Sequence, residues 1–174
     1  MLTMPLVARE SPDYAAAQVG ASVLGRSQGS RLYWQIVHQG LAVSASASVW
    51  ALEGTGFLLL QANSTPANAR QVVHLLQVEL DRLLEEGPTE DELQRAKAIW
   101  INSFLLSTEY PYSQMNSQAF DWLTEKRLVP LAEWIARIEQ VTTEDVRGVF
   151  RSFPLHEKQV LTAYGPLSEQ DLCS

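Results

Sequence analysis

Residues 25–50 read GRSQGSRLYWQIVHQGLAVSASASVW, and this stretch decides how the chain folds. It opens on small residues and passes into a helix-like run from Ser30 to His38. There Leu32, Tyr33, Ile36 and Val37 fall on one helical face. After Gly40 the period changes to two: Val43, Ala45, Ala47 and Val49 alternate with Ser44, Ser46 and Ser48. Gly40 stands at the joint, where a residue tolerant of positive φ ends a helix and starts a strand. By period alone this is a helix-to-strand connection. It is also a place where a fold of this size can set a binding surface.

Working outward, Met1 to Ala8 reads as a strand. Ser11, Pro12 and Asp13 start a helix whose many alanines suit close packing on a sheet, and Gly25 ends it. Beyond Gly40, Leu41–Leu52 and Gly56–Asn63 form a hairpin around Glu53-Gly54-Thr55. The serine row on the first of these strands is either a plain exposed face of small residues or a flat surface that another backbone can approach. Thr65-Pro66 opens a long helix with Val72, Val73, Leu76, Leu80, Leu83 and Leu84 in one stripe, ending at Gly87. Thr89 and Glu92 have capping-box spacing and start the next helix, which Tyr110-Pro111-Tyr112 breaks. Helices follow over 113–125, 130–141 and from Thr142, then a closing strand from Gln159 to Tyr164. The order is β-α-α-β-β, several helices, then β. This is an α+β domain: an antiparallel sheet of about four strands with helices mainly on one face. Residues 1–167 form one domain and 168–174 a frayed tail.

Composition narrows the function classes. The chain has 174 residues, enough for a single domain with a real core, and is 46% hydrophobic. Mean hydropathy is -0.08 and the longest apolar run, Gly56–Leu60, is far short of a bilayer span, so no membrane insertion is expected. Net charge is -7 with no basic stripe, which argues against a nucleic-acid partner. The amino terminus lacks a basic region before its apolar residues and does not read as a secretory signal, and the chain reads equally as a piece of a longer protein. The one cysteine, Cys173, forms no intrachain disulfide.

Residue chemistry offers no catalytic group. His38, His74 and His156 stand in no His-x-x-x-His or His-x-x-Glu-His pattern, so no metal site is expected. No Gly-x-Ser-x-Gly elbow and no complete phosphate loop occurs. The acidic run Glu85-Glu86 to Glu92 reads as a solvated junction between helices.

Several segments in order carry a resemblance. They are Asp13-Tyr14-Ala15-Ala16, Leu24-Gly25, Ser30-Arg31-Leu32-Tyr33, Gly40-Leu41-Ala42, Gly87-Pro88-Thr89-Glu90-Asp91-Glu92-Leu93, Ala96-Lys97 and Tyr164-Gly165-Pro166. Together they resemble the C-terminal-type, zinc-less domain of the M16 metallopeptidases, the relatives of pitrilysin, insulinase and mitochondrial processing peptidase. The resemblance implies one half of a closed chamber. A homologous half, as domain or subunit, would carry zinc on an inverted His-x-x-Glu-His motif, and this half would help hold a peptide substrate. In active members this half supplies an arginine before the Gly-Leu-Ala element and a tyrosine after it. Here those positions are Ile36 or Val37, and Val43, whose side chains donate no hydrogen bond. The expected substrate-binding residues are therefore Ser30, Arg31, His38, Gly40, Ser44 and Ser46, with no cofactor in this chain and zinc in the partner. The alternative is a structural or interaction module with the same fold and no proteolytic role.

Overall fold

A computed structural model describes residues 1–168. The expected tail at 168–174 and Cys173 lie, apart from Ser168, outside the described residues.

Four antiparallel strands build one sheet in the order β2-β3-β1-β4. They are β1 (Leu2–Leu6), β2 (Ala42–Leu52), β3 (Thr55–Ser64) and β4 (Val160–Leu161). The register puts Ala47, Leu60 and Leu2 in one row, and Val49, Leu58 and Met4 in the next. These rows face the helices and are largely buried. The alternate rows, Ser46 with Gln61 and Trp50 with Phe57, face outward and are exposed. Period two along each strand thus sends one set of side chains to the core and the other to the open face. The last strand is shorter than its sequence suggests. Its ladder nonetheless runs on by one step, because the Met1 ammonium and the Thr162 amide each donate to the other's carbonyl at 2.8 Å.

The helices are α1 (Tyr14–Gly25), α2 (Ala69–Glu86), α3 (Glu90–Ser107), α4 (Pro111–Glu125), α5 (Leu131–Gln140) and α6 (Thr143–Arg151). A 3-10 turn, Pro66–Asn68, precedes α2. α1 is the centre of the molecule: all twelve of its residues are buried. Its alanines and glycines let neighbours come close. A Cβ on Gly25 would lie 2.3 Å from the Ala47 amide nitrogen, so β2 crosses the end of α1 where only glycine fits. The helix begins two residues later than Ser11-Pro12 implies. Ser11 Oγ accepts from the Asp13 amide in a turn ahead of it, and no side chain caps the helix itself.

Two later helix starts match their sequence signals. Thr89 Oγ1 accepts from the Glu92 amide while the Glu92 carboxylate accepts from the Thr89 amide. Thr142 and Asp145 make the same reciprocal pair at the start of α6. Each capping box satisfies two amides that the helix cannot. Among the described residues no helix is long and apolar enough to cross a membrane.

Candidate functional site

The run from Ser30 to His38 is not a plain α-helix. One α-helical step leads into a π-helical turn, Tyr33–Val37, whose His38 amide donates to the Tyr33 carbonyl at 2.8 Å. π turns widen a helix by one residue and recur at functional sites. Here the turn buries Ile36 and leaves Trp34 and His38 on the surface, with ring centroids 4.7 Å apart. The joint at Gly40 has φ +71°. The Leu41 amide reaches the Ile36 carbonyl at 3.0 Å and the Gly40 amide reaches the Val37 carbonyl at 3.0 Å. These are the two bonds of a Schellman closure, and they aim the chain into β2.

β2 is an edge strand. Among the described residues its outer backbone has no partner strand, and a bulge between Ala42 and Ser44 turns Val43 out to 87% exposure. Edge strands are commonly blunted by charge or proline. None of the four strands carries a charged residue or histidine, and β2 carries no proline. Ser44 and Ser46 line a cleft of about 530 Å³ with Gln61, Asn63, Val73 and Leu161. The cleft is open and rich in hydroxyl and amide groups, with Met1 and Thr162 on its wall. It can offer hydrogen bonds to an extended chain.

The six residues expected at the site separate into two sets. His38, Gly40, Ser44 and Ser46 are exposed on or beside the start of β2. Ser30 and Arg31 are buried, at 4% and 7%, and a peptide on this surface would not reach them. Ser30 Oγ donates to the Ser27 carbonyl at 2.6 Å. Arg31 forks onto Glu92, Nε and Nη2 each 2.8 Å from a carboxylate oxygen, and Nη2 also donates to the Gly87 carbonyl at 2.8 Å. Glu92 therefore caps α3 and anchors Arg31 at once. The run read as a solvated acidic junction thus holds a part-buried ion pair. Burial opposes ionisation of Glu92, but the hydrogen bonds from Arg31 and Thr89 outweigh it and lower its pKa to about 2. Nearby Glu79 is 4% exposed, and burial raises its pKa against the pull of Arg82 and Arg31.

Zinc would need three or four donors converging on one point. Among the described residues no group of three or more His, Cys, Asp or Glu does so. His156 Nε2 sits 2.7 Å from Asp81, and His38 lies against Trp34. The donor set does not fit a resident zinc, and no hydrolytic step is derived through one.

Pattern reading missed two features. The outward aromatic pair Trp50 and Phe57, 62% and 36% exposed, shares the open sheet face with the serines. Its signal was available, since Trp50 has the same parity as Ser44, Ser46 and Ser48. The second, the part-buried contact between Arg9 and Asp121, joins residues 112 positions apart and has no local signal.

Residues 1–99 match the family model described as the peptidase M16 inactive domain. An uncharacterized zinc protease of Streptomyces coelicolor is 30% identical over 98% of this chain and 37% of its own length. The beta subunit of mitochondrial-processing peptidase from Pongo abelii is 25% identical over 86% of this chain and 31% of its own. Cytochrome b-c1 complex subunit 1 of Rattus norvegicus is 26% identical over 91% and 35%. This chain thus spans about a third of the length of the curated relatives it matches. Among solved structures, the peptidase M16 inactive domain from Pseudomonas fluorescens superposes with a TM-score of 0.78 at 20% identity, covering 91% of this chain and 38% of that one. A protease from Helicobacter pylori does so with a TM-score of 0.79 at 19% identity, covering 91% and 38%. At these identities the structural likeness speaks for the fold.

Proposed function

Because this chain belongs to the M16 peptidase family as its inactive domain, we propose that it is the non-catalytic half of a zinc metallopeptidase. On this reading it forms part of the wall of a peptide-binding chamber. A homologous zinc-carrying domain or subunit supplies the metal and the general base, and hydrolysis proceeds there by metal-assisted attack of water. The observation that carries the reading is the uncharged, unpaired edge of β2 beside the hydroxyl-lined cleft. An extended peptide can add to such an edge through backbone hydrogen bonds, with alternate side chains on the open sheet face. Ser44 and Ser46 then stand beside the peptide's side chains on the open sheet face, and His38 and Gly40 flank its end. Ser30 and Arg31 act by holding the π turn in place.

The test is reconstitution. Peptide hydrolysis is expected only when this chain and the zinc-carrying half are both present. Activity of the zinc-carrying half that is unchanged by removing this chain overturns the proposal. So does peptide cleavage by the 174-residue chain alone.

One observation favours a second reading, a structural or interaction module with no proteolytic role. Val43, 87% exposed, stands where the resemblance places a tyrosine, and Ile36, fully buried, or Val37, half-buried, where it places an arginine. The similarity to a cytochrome b-c1 subunit points the same way. An intact assembly that shows no zinc-dependent cleavage would select this reading.

A further inference from the structure

Helix α4 turns its polar side to the body of the protein and its apolar side to solvent. Asp121, 1% exposed, points inward and accepts from Arg9 and from Trp134 Nε1. Helical spacing puts Tyr112, Met115, Ala119 and Leu123 on the face opposite Asp121. Tyr112 is 72% exposed, Met115 57% and Leu123 59%, and Phe120 and Trp122 flank them at 48% and 58%. Such a stripe has the spacing of a helix seam, and in an amphipathic helix it packs on a core. Between Tyr110 and Thr124 the only charged residue is Asp121, so the outward face carries no charge. A contiguous apolar patch of this kind marks an interaction surface.

The stripe fits a second copy of itself. In a twofold contact residue i meets j and j meets i. Two α4 helices can be laid antiparallel with the axis level with Asn116 and Ala119. Tyr112 then meets Leu123 of the second copy, and Met115 meets Phe120. Ala119, small and near the axis, lets the helices approach. The same register sets Glu109, just ahead of α4, against Lys126, just after it. Both are exposed. Lys126 has one loose ion pair, to Glu53 at 3.8 Å, and Glu109 has none among the described residues. A parallel pair would set Glu109 against Glu109 and Lys126 against Lys126, so charge selects the antiparallel arrangement. A whole aromatic side chain covers about 150–250 Å². At the observed exposures the outward side chains offer about 500 Å² per copy, or about 1,000 Å² in the pair, where specific association begins.

We propose that α4 is the contact between two copies of this chain, packed antiparallel through Tyr112, Met115, Phe120 and Leu123, with Glu109 and Lys126 paired at both ends. The contact is independent of the peptide reading, since no residue of α4 lines the cleft beside β2. An area this modest gives a dissociation constant on the order of 10–100 µM. Well below that range the chain is a monomer with the face open. Above it, the amides of α4 gain protection from exchange.

The test is sedimentation velocity of the 174-residue chain from about 1 to 500 µM, a span chosen to bracket that constant. A shift from monomer to dimer is expected. Met115→Glu changes an exposed side chain of the monomer but puts two charges into the seam, and should weaken the dimer about a hundredfold. Glu109→Lys removes no ion pair within the chain but sets like charges together at both ends, and should weaken the dimer about fivefold. Adding Lys126→Glu should recover that loss, which a purely structural effect of either change would not do. A chain that stays monomeric throughout overturns the proposal and leaves the face to a different domain or partner. Dimers untouched by Met115→Glu, or a double variant no better than Glu109→Lys alone, overturn it as well.

Discussion

Helices α1 and α4 differ in how they are held. All twelve residues of α1 are buried, and its glycines admit β2 and α6 at van der Waals contact or closer. Of the fifteen residues of α4 only Asp121 is buried. Tyr112, Met115, Phe120, Trp122 and Leu123 of α4 are all about half exposed or more. One helix is fixed by packing on every side, the other chiefly by two carboxylates, Asp121 reaching Arg9 and Trp134, and Glu125 gripping Arg137 of α5 at 2.6 and 2.9 Å. Stability is therefore unevenly spread: the sheet, α1 and the Arg31–Glu92 brace belong to the cooperative core, and α4 opens more easily.

The sharpest way to break this contrast is Gly25→Ala. The added methyl meets the Ala47 backbone, which cannot yield as a side chain tip would, so the expected loss is about 3 kcal/mol or more in urea unfolding. Acid is next. Glu92 has a folded pKa near 2, below its ordinary 4.5. Its stabilisation is whole above the unfolded pKa and drains as pH falls from there toward 2, by up to about 3 kcal/mol. Glu79 runs the other way, because its raised pKa returns stability as pH falls. Denaturation curves of Glu92→Gln should lose the share of the acid dependence that Glu92 contributes while Glu125 and Glu133, also lowered by their arginines, keep theirs, and those of Glu79→Gln should show a steeper acid loss than the unaltered chain.

A third substitution, Asp121→Ala, strips Arg9 and Trp134 of their shared acceptor. Because Arg9 is partly solvated, the expected cost is about 2 kcal/mol, below the range for a fully buried pair. Hydrogen exchange should accelerate across α4 while α1 stays protected; equal acceleration in both would erase the distinction drawn here. The smallest effect is expected from Leu123→Ser on the exposed face of α4. It should change stability by no more than about 0.5 kcal/mol, and a larger loss would mean that this face is covered.

The elements with local signals were legible. Thr89 with Glu92 and Thr142 with Asp145 announce helix starts through bonds between residues three apart. Gly40 announces a helix end because the closure needs positive φ at that residue. Segments that carry the family resemblance turn out to be largely packing devices: Ala15 and Ala16 are buried in α1, Arg31 grips Glu92, and Lys97 donates to the Glu139 carbonyl. The π turn escaped notice because its apolar spacing over a few residues is that of an α-helix. Exposure at the site also escaped, since Ser30 and Arg31 are polar and sit in a glycine-rich segment, which reads as surface.

What residue order alone determined here are features closed within a few positions: period, caps, turns, and the absence of any charge from four strands. These depend on bonds that form between neighbours whatever the rest of the chain does. Which polar groups are buried, and which edge is left open, required the tertiary structure. Arg31 finds Glu92 sixty-one residues away and Arg9 finds Asp121 across 112, and burial becomes favourable for each only after both partners have been carried to the same place.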